Sequence, residues 1–431
     1  MQVAFKLSPP PSRPLFRRAR RRGQGWVVWG FAAALYFVAV FHRMVLGVAA
    51  FEAERRYHVG PGALSAFTAI QLGVYLAMQV PVGLAADRIG PRRSLAAGMG
   101  AIAAGEAIFA LSGTLGAGLA GRALIGLGDA FVFVNVLRVA HTWFEPRRAA
   151  LLTALTSLLG ALGQLLTTVP AHLALDGLGW TTTFAGAAAV TAVLAAGALR
   201  VVRDAPGSRI AGDGDVSGVA PPPQDPVLAT LRAAWSGRRT RMGFWAHFGL
   251  MTPFVTMTAL WGYPWLVQAQ GISRSTAATW LACSVVALCA AAPFVGRLGG
   301  RGPAMQVRMA LVTATMLVLA WAAVLGWPGG RPPHALILAA LAISGVGSAV
   351  SVVAFMLARA GNPAHIAGSA TGLVNCGGFL AGSLAILAAG IVLGHDGRTA
   401  AAFQQALLPM LGFSALSLLQ VARLRFTAAS A

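Results

Sequence analysis

The sequence predicts an all-α membrane protein in which twelve transmembrane helices form two pseudo-symmetric six-helix bundles. Three observations support this prediction. The 431 residues are 57% hydrophobic and only 10% charged, with a mean hydropathy of +0.70. Apolar runs near the length of about 20 residues that crosses a bilayer recur along the whole chain. Arginines collect in alternate loops between these runs, as expected for a protein that crosses a membrane repeatedly.

The apolar runs give the approximate bounds of the twelve helices. The 52 glycines fit helices that pack through contacts between small residues. The predicted helices cover residues 26–50, 63–84, 94–112, 119–141, 149–170, 181–200, 243–266, 277–296, 305–326, 334–357, 367–393 and 402–422.

The arginine distribution also predicts the orientation of the chain. One set of loops holds the N-terminal cluster at residues 17–22, the group at 88–93 and the C-terminal pair Arg423 and Arg425, whereas the opposite set holds few arginines. We therefore expect both termini in the cytoplasm and the chain in a bacterial inner membrane. The same asymmetry accounts for the net charge of +21, so a nucleic-acid partner is not expected.

One long polar stretch divides the sequence. It contains three consecutive prolines at 221–223 and is too short and too polar to form a core of its own. At most, residues 227–235 could form an amphipathic helix on the membrane surface. The predicted regions are a basic cytoplasmic tail at 1–23, an N-terminal bundle at 24–202, a cytoplasmic linker at 203–240 and a C-terminal bundle at 241–425.

A charged loop joins predicted helices 2 and 3. Its pattern is Gly-x-x-x-Asp-Arg-x-Gly-x-Arg-Arg, formed by Gly83, Asp87, Arg88, Gly90, Arg92 and Arg93. Glycine followed by proline at 90–91 forces a turn, and Asp87 can accept from a helix N-terminus or pair with an arginine. The pattern resembles the loop 2–3 signature of the major facilitator superfamily. This resemblance implies a secondary transporter that alternates between inward-open and outward-open states, with these residues controlling the change.

Ionisable side chains at membrane depth are costly and are therefore candidates for function. Helix 1 carries His42 and Arg43, helix 3 carries Glu106, and helix 4 carries Arg122 and Asp129. Seven residues turn a helix through about 700°, so the helix 4 pair point to nearly the same side. Two arginines and one acid make a cavity that attracts an anion.

The surrounding residues carry a more specific resemblance. Residues 122–128 resemble the superfamily's helix 4 signature, and residues 42–49 are similar to the helix 1 segment of the anion:cation symporter group. The resemblance implies that the two arginines bind the carboxylate of an organic anion and that Asp129 carries a proton. His42 stands where that group has an acid, and it could titrate in place of that acid.

Each of these assignments has a structural alternative. Asp129 could serve only as the partner of Arg43 in a buried ion pair. His42 could be a core histidine with its hydrogen bonds satisfied, and Glu106 is expected to pair with a neighbouring helix. Arg122 could be an anchor at the membrane interface.

Helices 7 and 11 add candidates for substrate contact. Helix 7 contains Trp261 and Tyr263 just before Pro264, a sequence expected to interrupt the helix and form a gate. Asn375 lies on a helix rich in small residues, where it faces either the cavity or a neighbouring helix. An interfacial aromatic belt is the alternative for the aromatic residues.

The sequence contains no phosphate-binding glycine-rich loop and no metal-ligand spacing, so we expect no enzyme activity and no cofactor. The first functional hypothesis is proton-coupled uptake of a small, anionic substrate by a monomer in the lipid bilayer. The alternatives are a proton-driven exporter of amphipathic compounds and a transport-inactive membrane sensor.

Overall fold

A computed structural model describes residues 14–206, 227–363 and 366–426. Within these ranges the chain is helical almost throughout and contains no β-strand. Its α-helices, numbered in chain order, are α1 Pro14–Met44, α2 Ala50–Tyr57, α3 Pro61–Leu111, α4 Leu115–Trp143, α5 Pro146–Leu165, α6 Val169–Val201, α7 Val227–Ser236, α8 Arg238–Thr256, α9 Gly262–Pro264, α10 Arg274–Gly299, α11 Pro303–Leu325, α12 His334–Val350, α13 Val352–Ala360, α14 Ala367–Asp396, α15 Ala400–Ala406 and α16 Leu408–Phe426.

Ten helical segments in the described ranges are long and apolar enough to cross a membrane. One of them, Leu151–Val201, is 51 residues long and covers both predicted helices 5 and 6. Predicted helix 7 corresponds to α8 and the helical turns that follow it. The predicted all-α membrane fold with twelve spanning helices is confirmed.

The boundary between helices 5 and 6 differs from the prediction. Helix α5 ends at Leu165, and α6 begins at Val169, about twelve residues earlier than expected. The hydroxyls of Thr167 and Thr168 donate to main-chain carbonyls three residues back, at 2.7 and 2.6 Å. These bonds close the turn between the helices. Gly179, with φ +76°, then interrupts α6 near the expected start.

Close packing of α3 on α4 determines the direction in which the side chains of Arg122 and Asp129 on α4 point. Gly98 faces Gly128 across this contact, and Gly105 faces Gly121, so that a Cβ on any of them would overlap a main-chain oxygen of its partner. Small residues let the two backbones approach this closely. Arg122 and Asp129 each follow one of these glycines, and each side chain is therefore turned about 100° away from α3.

Helix 7 is widened where an interruption was predicted. Two π-helical turns, Met257–Trp261 and Trp265–Ala269, flank the short helix α9 that ends at Pro264. A π-helical turn is one way in which a helix accommodates a local disturbance such as proline. The chain therefore stays helical from Arg238 to Ala269.

The loops of the bundle divide between two ends. The Glu52 face contains α2, where Glu52 pairs with Arg274 from the start of α10. The Gly90 face is the opposite end. There the backbone of Arg92 bonds to Asp204 after α6.

Candidate functional site

The centre of the candidate site is a buried ion pair between α1 and α4. Arg43 donates from Nε to Asp129 Oδ2 at 2.6 Å and from Nη2 to Oδ1 at 2.7 Å. The two side chains are only 5% and 1% exposed. A guanidinium and a carboxylate joined by two parallel hydrogen bonds form one of the strongest polar contacts in proteins. This contact is the buried ion pair that was considered above as the structural alternative for Asp129. Its burial at membrane depth also makes it a candidate for function.

Aromatic and polar side chains from both halves of the chain surround Arg43. Its guanidinium carbon lies 4.8 Å from the ring centre of Tyr75 and 5.4 Å from that of Phe379. Asn375, one turn before Phe379 on α14, interacts with the Tyr75 hydroxyl. Tyr36 on α1 also contacts Arg43. The site therefore lies where the first six helices meet the last six.

Arg122 belongs to a second buried cluster, inside the first half. It is completely buried, and Nη1 donates to the main-chain oxygen of His42 at 3.2 Å. His42 Nδ1 lies 3.2 Å from Glu106 Oε2, and its Nε2 lies 2.7 Å from Thr191 Oγ1. The Arg122 guanidinium also lies over the ring of Phe109, 5.2 Å from its centre. Arg122 and Asp129 thus contact consecutive residues of α1.

The structure does not bring the helix 7 aromatics to Arg43. The indole of Trp261 is fully buried and donates to the main-chain oxygen of Ile386 at 2.9 Å. The hydroxyl of Tyr263 lies 3.3 Å from His172 Nδ1, toward the Glu52 face. The assignment of Trp261 and Tyr263 to substrate contact stays a prediction.

The signature loop turns at Gly90 and is tied to the end of α6. Gly90 has φ +75° and ψ 165°, a conformation open essentially to glycine alone. The Arg92 main-chain N–H donates to Asp204 Oδ1 at 2.8 Å, and its Nε donates to the main-chain oxygen of Leu199 at 2.7 Å. Arg93 is exposed. The side chains of Asp87 and Arg88, and the surroundings of Gly83, lie outside the described part of the structure.

We expect Gly90→Ala to destabilise the protein more than Gly179→Ala. The two glycines have nearly the same φ, so each alanine carries roughly 1–3 kcal/mol of backbone strain. Only at Gly90 would the new Cβ also lie 2.6 Å from Asp204 Oδ1, whereas nothing lies within 4 Å at Gly179. Thermal unfolding in detergent measures the difference. Equal losses in the two variants would contradict a rigid contact with Asp204, and Asp204→Ala should bring Gly90→Ala to the level of Gly179→Ala.

Comparison with known families matches residues 32–386 to the Major Facilitator Superfamily. The chain belongs to the major facilitator superfamily. It is therefore a multi-pass membrane transporter and not an enzyme. The more specific resemblance to the anion:cation symporter group stays a prediction.

Solved structures with the same superfamily fold are similar over nearly the whole chain. Two are crystal structures of a bacterial homolog to the human lysosomal transporter Spinster, both inward-facing, one unoccupied and one occupied. Each has a TM-score of 0.70 and covers 97% of this chain and 98% of its own, at 15% and 14% identity. At this identity the likeness shows the fold alone. No curated protein matches the sequence.

The halves of this superfamily member meet closely at the Glu52 face. A Cβ on Gly47 would overlap the main-chain oxygen of Thr258, and one on Gly390 would overlap Ser65. Two ion pairs also join the halves at this end, one between Glu52 Oε1 and Arg274 at 3.3 Å and one between Glu54 and Arg398. The described structure is therefore closed at the Glu52 face.

Several residues of the site were not predicted from the sequence. Tyr36 precedes Arg43 by seven residues, a spacing that places both on one side of α1 and could have identified it. Phe379 follows Asn375 by four residues and shares its face of α14. No spacing links Tyr75 to Arg43, because their contact depends on how α1 and α3 pack. Asp204 was assigned to the predicted linker, but it contacts the signature loop.

Proposed function

We propose that the protein takes up a small organic anion together with protons by alternating access. The observation that carries this proposal is the bidentate Arg43–Asp129 pair, buried where the two halves meet. A guanidinium that already holds a carboxylate in planar, two-bond geometry is suited to bind the carboxylate of a substrate in the same way. Competition between Asp129 and the substrate carboxylate for Arg43 would couple the binding of substrate to the binding of a proton.

Protonation of Asp129 is the first step of this exchange. While Asp129 is ionised it occupies Arg43 and repels an approaching anion. Once Asp129 binds a proton, Arg43 becomes an uncompensated cation, and a substrate carboxylate restores its pairing. Release runs in the opposite order, because loss of the proton lets Asp129 reclaim Arg43. The empty carrier then returns with its arginine neutralised.

The side chains around Arg43 would couple the exchange of carboxylates at Arg43 to the second half of the chain. Tyr75 on α3 and Phe379 on α14 contact the Arg43 guanidinium. Asn375 on α14 interacts with Tyr75. A substrate bound at Arg43 would therefore touch both halves. Such a substrate can favour one relative arrangement of the halves over the other, which is what a transport cycle requires.

We place the Gly90 face in the cytoplasm, because the arginine-rich loops lie at that end. In this proposal both termini are cytoplasmic, and a linker at 203–240 joins bundles at 24–202 and 241–425. The protein acts as a monomer in a bacterial inner membrane. The signature residues Gly83, Asp87 and Arg88 act with Gly90, Arg92 and Arg93 in the conformational change.

The second candidate is export of amphipathic compounds driven by protons. The observation that favours it is the aromatic surface of Tyr75 and Phe379 beside Arg43, which suits a substrate with an apolar body. This function would use the same Asp129 proton in the opposite direction. It differs from the first in requiring no carboxylate on the substrate.

The test is the external pH of lightly buffered proteoliposomes to which lactate, benzoate, gluconate or succinate is added. We expect at least one of these anions to make the medium alkaline in wild type, because each anion carries a proton inward. Asp129→Asn should abolish the signal, since the residue can no longer exchange a proton. Protein-free liposomes correct for passive entry of weak acids, and Arg359→Gln, at an exposed arginine, controls for loss of a charge. Alkalinisation that persists in Asp129→Asn would contradict the proposal.

A further inference from the structure

A cluster of buried polar atoms without hydrogen-bond partners includes an atom of His42, the residue before Arg43. His42, Glu106 and Arg122 are each 0% exposed. Among the described residues, no hydrogen-bond partner is found for His42 Nδ1, for either carboxylate oxygen of Glu106, or for Nε and Nη2 of Arg122. Buried polar groups in proteins are nearly always paired, so a cluster of unpaired atoms calls for an explanation.

The geometry between His42 and Glu106 suggests that explanation. Nδ1 and Oε2 are 3.2 Å apart, which is an ion-pair distance, yet they are not aligned as a hydrogen bond. The other ring nitrogen is engaged, at 2.7 Å from Thr191 Oγ1. A proton bound by this pair can reside on either atom, because imidazole and carboxylate both bind protons. On Nδ1 it makes the 3.2 Å contact an ion pair.

The elements packed around the pair contribute few other charges. Arg122 on α4 and Tyr57 on α2 both interact electrostatically with Glu106. The Tyr57 hydroxyl donates to the main-chain oxygen of Phe109, and α6 contributes only the neutral Thr191 among the contacts described. Arg122 is therefore a compensating charge for an ionised Glu106, and it also interacts with Asp129.

We propose that His42 and Glu106 together form a second proton-binding site, separate from Asp129, in which one proton is shared between Nδ1 and the carboxylate. That the shared proton is transported rests on the proposed function, but its binding does not. Two protons then accompany the substrate, one at each site.

Proton binding at the second site acts on Arg43 through charge. Without the proton, ionised Glu106 balances Arg122, and the cluster is neutral. With it, the cluster carries one positive charge directly beside Arg43 in the chain. In a buried environment such a charge is weakly screened and favours an anion at the neighbouring site. Both protons therefore promote binding of the same anion.

Infrared difference spectroscopy during a pH titration tests this site without any substrate. The sample is the full protein in lipid nanodiscs, and the probe is the proton itself, read from the carboxylic C=O band. We expect Glu106→Gln to remove a pH-dependent band that Asp129→Asn and the exposed control Glu145→Gln both leave in place. A Glu106→Gln spectrum identical to wild type would overturn the proposal.

His42→Gln provides an independent test in case Glu106→Gln does not fold. Without the imidazole the proton can reside only on Glu106, so its carboxylic band should strengthen. An unchanged band would show that no proton is shared and would overturn the proposal. The proposed function fails separately, because its failure is read from Asp129→Asn in the liposome assay. If that assay succeeds while the Glu106 band is absent, only the second site is lost.

Discussion

Replacing Arg43 by glutamine is expected to destabilise the protein by roughly 3–5 kcal/mol and to abolish transport. The substitution leaves the Asp129 carboxylate buried without a partner, and breaking one side of a buried pair typically has this large cost. The double variant Arg43→Gln with Asp129→Asn should recover most of the stability, because no buried charge then remains unpaired. It should not recover transport, since the proposed anion anchor and the proposed proton carrier are both gone.

Thermal unfolding in detergent and uptake into proteoliposomes, measured on the same preparations, separate these two effects. Arg359→Gln is the matched control, because it removes an exposed arginine and should change neither quantity. A double variant that transports at wild-type rate would mean that the pair only stabilises the fold. A single variant as stable as wild type would mean that Asp129 is neutral in the folded protein.

Adding a methyl group at Gly47 or Gly390 is expected to hold the Glu52 face open and to reduce transport strongly. Each glycine touches the opposite half, Gly47 against the main-chain oxygen of Thr258 and Gly390 against Ser65. A Cβ at either position has no room while the face is closed. In the alternate state of the proposed cycle these surfaces separate, so alanine destabilises only one of the two states.

The distance across the Glu52 face measures this effect. Spin labels at the exposed positions Gly116 and Ser275 would report it, in a background from which Cys283, Cys289 and Cys376 have been removed. We expect Gly47→Ala and Gly390→Ala to shift the distance distribution toward longer values. Gly73→Ala should leave it unchanged, because nothing lies within 4 Å of that position. Unchanged distances in all variants would show that the face does not open.

The sequence predicted the spanning helices well because their length follows from bilayer thickness. Their ends were less predictable. Helix 1 was expected to reach residue 50 but ends at Met44, where a 3-10 turn follows within the apolar run and the short, charged helix α2 begins at Ala50. Hydropathy does not distinguish the 3-10 turn from a continuing helix. The turn at Thr167 and Thr168 depends on side-chain bonds to the backbone, which hydropathy also does not register.

The candidate site was predictable where it depends on one helix and unpredictable where it depends on packing. Spacing on helix 4 placed Arg122 and Asp129 on one side, and both contact α1 as that spacing allows. Glu106 was expected to pair with a neighbouring helix, and it lies beside His42. The contacts of Tyr75 and Phe379 with Arg43 require the relative position of α1, α3 and α14, which no single helix encodes.

In the proposed cycle, the buried charges cancel one another when neither of the proposed proton sites is occupied. These charges are Arg43, Asp129, Arg122 and Glu106. An empty carrier in this condition moves no net charge across the membrane as it changes state. Each uncompensated charge would otherwise cost about 2.3 kcal/mol against a membrane potential of 100 mV. The return of the empty carrier should therefore be insensitive to voltage. With two protons and one monovalent anion bound, the loaded carrier would bear one positive charge. An inside-negative potential would therefore drive the uptake step and leave the return step unaffected.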